Sequence, residues 1–265
     1  MDWARVSTPA ALEGWHGVLG ESYEHDFVAL PADPIGEYEP LLDDELIGGH
    51  RKEMWLGTAD AGPVVAALLE MSVHENLAEV EIELAVAPAW RRRGWATAAA
   101  GRIADRCRAL DRTLLTVEVP GPLDGEPSPA RSFAAGQGFA VKQTEVRRLL
   151  DVSAVDDAHI DALERSAVTR AHGYRLVSWT DRVGDDLVDG LATLAGRMST
   201  DVPWGERAYE PEVWDAARWR AAERSSAARG RREIGTAALY RDEVVAYTVL
   251  HPSRPRPAVG YQGDT

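Results

Sequence analysis

Residues 79–86, EVEIELAV, alternate charged and apolar side chains from Glu79 to Leu84 and end on Ala85-Val86. Glu79, Glu81 and Glu83 fall on one face of a strand and Val80, Ile82 and Leu84 on the other, the period-two pattern of a strand with one apolar face. The period then changes. From Gly94 to Leu110, Ala96, Ala99, Ala100, Ile103 and Cys107 recur at helical spacing and give a face of small side chains. Between the two lies Ala87-Pro88-Ala89-Trp90-Arg91-Arg92-Arg93-Gly94. A strand that ends at Val86 and a helix that begins at Gly94 commit the chain to layers of sheet and helix, an α/β or α+β class.

The corner between them clusters three arginines in a chain whose formal net charge is -14. Like charges side by side repel, so an anion is expected among them. The first turn of a helix leaves its amides unpaired and carries about half a positive charge. Gly94 has no Cβ, so an anion can approach the backbone, and Ala96 is nearly as small. Arg91 and Arg93 add charge and forked donors at the rim. The group such a corner suits is a pyrophosphate. The plainer reading is a solvated basic helix start.

The rest of the composition narrows the field. With 265 residues and 45% hydrophobic side chains, there is material for one large or two ordinary packed domains. The acidic balance argues against a nucleic-acid binder, which needs a basic face. The single cysteine, Cys107, excludes an intramolecular disulfide and reads as core filler on the apolar side of its helix. The opening MDWARVSTPAALEG lacks the basic-then-apolar pattern of a signal peptide, and no run approaches the ~20 apolar residues that span a bilayer. A cytoplasmic protein with no membrane or nucleic-acid partner is expected. The histidines show no metal-ligand spacing, and no nucleophile elbow or P-loop occurs, so no metal site is expected.

Along the chain, strands are expected over 3–7, 53–58, 64–73, 79–86, 114–119 and 139–152, and helices over 9–23, 41–51, 94–110, 130–135 and 157–170. Thr8 is the expected N-cap and Pro9 suits the first turn of its helix. A second pass then begins: a strand over 174–179, helices over 185–198 and 211–229, strands over 233–239 and 244–250, and another from Ala258. PVVAALLEMSV (63–73) lines up with EVVAYTVLHPS (243–253). This reads as a tandem repeat of one domain type. The expected boundaries are a first domain over 1–152, a linker helix over 153–173 and a second copy over 174–265. The second copy is read as incomplete, since a counterpart of the Arg91 corner would fall beyond Thr265.

The pattern Arg-x-x-Gly-x-Ala at Arg91, Gly94 and Ala96, after an LAV-x-P strand end, resembles the acetyl-CoA loop of the GNAT N-acetyltransferase superfamily. LLTVEV (114–119) resembles that family's next strand, and SFAAGQGF (132–139) its short helix ending in Gly-Phe. The likeness spans roughly residues 2–151, and the tandem plan is similar to that of the mycothiol synthase family. It implies a mixed, mainly antiparallel twisted sheet flanked by helices, with acetyl-CoA as co-substrate. Backbone groups of Leu84, Ala85 and Val86 would hold the pantetheine arm, and the amides of Arg91, Arg92, Arg93, Gly94, Trp95, Ala96 and Thr97 the pyrophosphate. A bulge in the 79–86 strand would splay it from the next strand and open a gap for the thioester.

Acetyl transfer to an amine needs a base, an oxyanion donor and an acid for the leaving thiolate. The base candidates are Glu81, Glu83 and Glu118, and the Val86 amide region is the natural oxyanion donor. A solvated strand face is the plainer reading of the glutamates. The resemblance implies a tyrosine acid four residues before Gly138, where this chain has Ala134, and an asparagine where it has Pro127. The expectation is therefore an acetyl-CoA-dependent N-acyltransferase acting on a small-molecule amine or a peptide acceptor, possible as a homodimer. The alternative is a non-catalytic acetyl-CoA-binding or structural module that supports a catalytic second copy. The aromatic-rich stretch 201–220 reads either as an acceptor pocket, with Asp201, Glu206 and Glu210 drawing a cation, or as ordinary packing of Trp204, Tyr209, Trp214 and Trp219.

Overall fold

The alternating strand is the pivot of the first of two sheets. A computed structural model describes residues 2–26, 32–44, 46–121, 128–202, 204–206 and 209–263. Its first sheet contains β1 (Asp2–Arg5), β2 (Leu46–Ile47), β3 (His50–Ala59), β4 (Gly62–Ser72), β5 (Glu79–Val86) and β6 (Leu114–Thr116). The order is β1-β3-β4-β5-β6, with β2 paired to β3. Every pairing is antiparallel except β5 with β6.

Helix α1 (Pro9–Asp26) covers one face and α2 (Trp95–Ala109) the other. Thr8 caps α1 as expected, its hydroxyl accepting the Ala11 amide at 3.2 Å. On the α1 side Leu12, Trp15, Val18 and Leu19 pack on Met54, Leu56, Ala66 and Ala85, and the Trp15 indole donates to the Ala67 carbonyl at 3.0 Å. On the α2 side Val80 and Ile82 join Leu69, Met71, Ile103 and Cys107. The two-residue period of β5 thus sorts its side chains as the sequence implies, glutamates toward α1 and aliphatics toward α2. Glu53 of β3 also faces α2. Its fully buried carboxylate takes hydrogen bonds from Arg106 at 2.7 and 2.9 Å and from the Trp55 indole at 3.2 Å, with Arg51 at 2.9 Å and Arg5 at 3.2 Å.

The second sheet, β7 (Tyr174–Thr180), β8 (Ile234–Tyr240), β9 (Glu243–Pro252) and β10 (Gly260–Gln262), is antiparallel in the order β10-β9-β8-β7. That is the order of β5-β4-β3-β1. Both central hairpins carry a register shift, between Gly57 and Thr58 in one and between Ala238 and Leu239 in the other, within one residue of correspondence by the 63–73 and 243–253 alignment. Helices α5 (Val188–Asp201) and α6 (Ala216–Ala228) pack Leu191 and Trp219 against Trp179, Ala237, Tyr247 and Val249. The repeat is therefore visible in topology.

Three expectations are corrected. Residues 41–51 do not form a helix: a 3-10 turn covers Glu39–Leu42, and Gly48 and Gly49, both at positive φ, turn β2 directly into β3. The two glycines favour that hairpin over a helix. Residues 139–152 form no strand. Sheet pairing stops at Glu81 with Thr116, leaving no ladder for them to join, and Val141, Val146, Leu149 and Leu150 are exposed. The 79–86 strand carries no bulge: its ladder with β4 runs unbroken from Val65–Val86 to Glu70–Glu81. Helices α3 (Pro129–Gly136) and α4 (Asp157–Val168) form where expected.

The two sheets are tied by ion pairs. Arg218 grips Glu75 at 2.9 and 3.0 Å, Glu210 and Asn76 exchange backbone and side-chain hydrogen bonds, and Arg231 reaches Asp33 at 2.9 Å. Among the described residues no helix is long and apolar enough to cross a membrane, and no group of three or more His, Cys, Asp or Glu could hold a metal ion.

Candidate functional site: the strand-to-helix corner and its carboxylates

After Val86 the Ala87 amide still donates to the Val64 carbonyl at 3.0 Å. Pro88–Trp90 then make a 3-10 turn, Arg92 (φ 62) and Gly94 (φ 82) adopt left-handed backbone, and α2 begins at Trp95. The Ala98 amide donates to the Gly94 carbonyl at 3.0 Å, so the amides of Trp95, Ala96 and Thr97 precede the helical ladder and point out of its N-terminus. A Cβ placed on Gly94 would meet nothing within 4 Å. The approach to this amide array is open.

The three arginines divide. Arg92 and Arg93 are exposed, and Arg93 lies over the Trp90 ring at 4.9 Å, with Trp90 edge-to-face on Trp95 at 6.3 Å. Arg91 turns inward. Its Nε donates to the Val86 carbonyl at 3.0 Å, and its two terminal nitrogens fork onto Asp26 at 2.7 and 2.8 Å and reach Ser22 Oγ at 2.9 Å. The guanidinium holds the Asp26 carboxyl below its ordinary range.

The Ala87–Val64 bond sets the phase of the β4–β5 ladder. In an antiparallel pair, hydrogen-bonded and non-bonded positions alternate. Ala85 therefore turns its backbone to Ala66 in β4, while Leu84 and Val86 turn theirs to the opposite side. There β6 pairs with Glu79–Glu81 alone among the described residues, so the Leu84 backbone and the Val86 amide face a gap in the ladder, while the Val86 carbonyl is taken by Arg91. The gap arises because β6 ends early.

Glu83 lies on the α1 side of β5, beside this gap, and the Tyr23 phenol donates to its Oε1 at 2.9 Å. Burial pushes the Glu83 carboxyl above its ordinary range against the lowering effect of that hydrogen bond. Burial and the neighbouring carboxylate push the Tyr23 phenol far above its own. Tyr38, buried edge-on to Trp15 at 4.9 Å, closes the same wall. In the next row Lys52 bonds Glu70 at 2.5 Å, and Glu70 stands opposite the exposed Glu81. Burial would raise Glu70, but the ammonium outweighs it and holds the carboxyl below the usual range.

Glu118 acts on this group through its charge, which adds to the upward push on Glu83. It lies beyond the end of β6 with its side chain 70% exposed, 3.9 Å from Arg147. Ala134 sits on α3, where its carbonyl caps the Phe139 amide at 3.1 Å and it offers no proton. Pro127 lies outside the described residues. In the aromatic stretch Trp204 stacks on Tyr209 at 3.8 Å, and Trp219 packs into the second core. Glu206 bonds Lys142 and Glu210 bonds Asn76, so both carboxylates serve internal contacts. Sequence reasoning missed Ser22 and Tyr23, and it missed that Asp26 holds Arg91. Their one signal is spacing: they share the last turn of α1, on the side that meets β5 and the corner.

No protein-family model and no curated protein matches the sequence. Solved structures do. A tandem GNAT protein from the clavulanic acid biosynthesis pathway, solved without AcCoA, superposes with a TM-score of 0.74 at 20% identity, over 99% of this chain and 77% of its own. A ribosomal-protein-alanine N-acetyltransferase from Brucella melitensis biovar Abortus 2308 aligns with 57% of this chain and 100% of its own, at 16% identity and a TM-score of 0.42. An aminoglycoside antibiotic 6'-N-acetyltransferase from Acinetobacter haemolyticus aligns with 57% of this chain and 99% of its own, at 16% identity and a TM-score of 0.41. The fold assignment rests on the first of these and on the repeated strand order. The chain has the tandem GNAT fold.

Proposed function

We propose that this protein is an acetyl-CoA-dependent N-acyltransferase that acetylates an amine, with Glu83 as its base. The observation that carries this reading is the corner itself. An open amide array at residues 92–97 adjoins a gap in the ladder faced by the Leu84 backbone and the Val86 amide, and a half-buried carboxylate stands beside that gap. The residues present fit the co-substrate. Helix amides with Arg92 and Arg93 at the rim suit a pyrophosphate, and the Leu84 backbone released from the ladder suits the amides of a pantetheine arm, the Val86 carbonyl being held by Arg91.

Transfer would then proceed by simple proton accounting. Glu83 takes a proton from the attacking ammonium, directly or through one water. The Val86 amide, turned toward the gap, donates to the carbonyl oxygen as charge develops there. As the C–S bond breaks, the second proton of the attacking nitrogen passes through water to the leaving thiolate, since Ala134 leaves no phenol at the position the family resemblance implies, and Glu83 returns its proton to solvent. Glu81, exposed on the same strand face as Glu83, favours a cationic substrate, whereas Glu70 is neutralised by Lys52.

One test decides it. Calorimetry with coenzyme A is expected to give saturable 1:1 binding. Thiol release from acetyl-CoA, screened over polyamines, aminoglycosides and short peptides, is expected to rise with at least one acceptor and to be lost in Glu83→Gln. Absence of coenzyme A binding would defeat the reading. A second reading, a coenzyme-binding module without turnover, is favoured by Ala134 and by the exposed position of Glu118. It is supported if coenzyme A stabilises the protein and no acceptor releases thiol.

A further inference from the structure

Three side chains of one helical turn reach two different parts of the site. Ser22 and Asp26 hold Arg91, which belongs to the corner, and Tyr23 holds Glu83, which belongs to the acceptor side. Arg91 also bonds the carbonyl of Val86, the last residue of the strand that carries Glu83. The contacts close a ring: Arg91 to Val86, along β5 to Glu83, across to Tyr23, down α1 to Asp26 and back to Arg91. His25 adds a 2.8 Å contact to Asp26.

The ring constrains its members mutually. A forked guanidinium–carboxylate pair fixes both position and orientation, unlike a single point contact. One turn of α-helix is stiff, so a displacement at Asp26 is carried to Tyr23, less than a turn away. Arg91 in turn adjoins Arg92, where the open amide array begins.

We propose that the last turn of α1 is a coupling element: engagement of the corner by coenzyme A is transmitted through Arg91, Asp26 and Tyr23 to the placement of the Glu83 carboxylate. Arg91 then acts as a strut rather than as a ligand of the pyrophosphate, and Tyr23 is a positioning residue. The proposal rests on the acyltransferase reading above and adds a regulation of the same site, in which the base is set when the acyl donor is bound.

The charged and titratable groups that face Glu83 are Tyr23 from α1, Asp33 and Tyr38 from the stretch after it, Lys52 from β3, Glu70 from β4, Glu81 on its own strand face and Glu118 beyond β6. All of these groups except Tyr23 are kept in every variant, so the effects of Tyr23→Phe, Asp26→Asn and Arg91→Lys are read against the same remaining background.

The test uses protein carrying carbon-13 carboxyl-labelled glutamate. The Glu83 resonance, assigned by its loss in Glu83→Gln, is titrated with pH in the presence and absence of coenzyme A. In the wild type, coenzyme A is expected to shift the Glu83 midpoint. Tyr23→Phe removes a donor to the ionised form, so its midpoint moves upward, and the shift caused by coenzyme A falls to less than half. Asp26→Asn is expected to halve the coenzyme-induced shift while Tyr23 remains. Arg91→Lys keeps the charge without the fork, behaves as Asp26→Asn does, and serves if that variant folds poorly. Calorimetry on each variant reports coenzyme binding separately. Binding to the wild type with no movement of the Glu83 midpoint overturns the coupling and leaves the acyltransferase reading standing. So does a full-sized shift in Asp26→Asn or Arg91→Lys. Failure of the wild type to bind coenzyme A removes both.

Discussion

Glu37 of the first sheet's loop and Arg231 of the second meet at 2.5 Å across 194 positions of sequence. The Glu37 side chain is fully buried, and Arg229 at 3.6 Å and the Ser253 hydroxyl at 3.1 Å complete its shell. A buried carboxylate in such a nest is costly to neutralise, because the guanidiniums lose their counter-charge while staying out of water. Glu37→Gln is expected to cost about 3–5 kcal/mol. Urea unfolding read by tryptophan fluorescence checks it, and limited proteolysis should show earlier cleavage between the sheets. An unchanged midpoint would mean that the two sheets are held together by something else.

Gly94 gives a second prediction. At φ 82 its backbone suits glycine, and the space above it is open. Gly94→Ala should therefore cost the empty protein only the left-handed strain, ~1–2 kcal/mol. The same methyl would stand in the path of a pyrophosphate on the amide array, so coenzyme A should bind at least ~10-fold more weakly, about 1.4 kcal/mol. A thermal melt and a calorimetric titration separate the two effects. Strain with unaltered coenzyme affinity would exclude the corner as the anion site.

The sheet and its two flanking helices were legible because their periods were unambiguous. The 79–86 alternation, the small-residue helix after Gly94 and the matched stretches 63–73 and 243–253 all appear as strand, helix and equivalent strands. What failed depended on partners. Residues 139–152 have strand-like composition, but a strand needs an edge, and β6 stops at Thr116. Residues 41–51 look helical until Gly48-Gly49 turns the chain into a hairpin. At the site the corner was readable from glycine and charge, whereas the inward turn of Arg91 depends on Asp26, whose approach is set by how α1 packs through Trp15 and Leu19. Glu118 was singled out by local pattern, yet only the three-dimensional path of 117–121 separates it from Glu83.

Glu83 ties the site to stability. Burial raises its native carboxyl above the unfolded value, so between those two values the native state holds a proton that the unfolded chain has released. Stability from this group therefore falls as pH rises through that window and stays lower above it. Glu83→Gln, which cannot ionise, should melt higher than the wild type at pH 8 and equally at pH 4. It should also lose thiol release. A lower melting temperature at pH 8 would show that the carboxylate contributes net stability through Tyr23.

Glu53 has the opposite sign. Burial would raise its carboxyl, but the Arg106 hydrogen bonds and the charges of Arg5, Arg106 and Arg51 outweigh that and hold it below its ordinary range. The stability it contributes is present above the unfolded value and is lost as pH falls through the native one. Glu53→Gln leaves three guanidiniums around a neutral amide between β3 and α2, at an expected cost of about 3–5 kcal/mol at pH 7. Urea midpoints at pH 7 and pH 3 check this: the gap between wild type and variant should narrow on acidification. Cys107, buried on the same helix face, supplies an independent readout, because its thiol should react with a disulfide reagent only when α2 leaves the sheet. Faster Cys107 labelling in Glu53→Gln at pH 7 is the expected result, and labelling at the wild-type rate would place the weakened contact elsewhere.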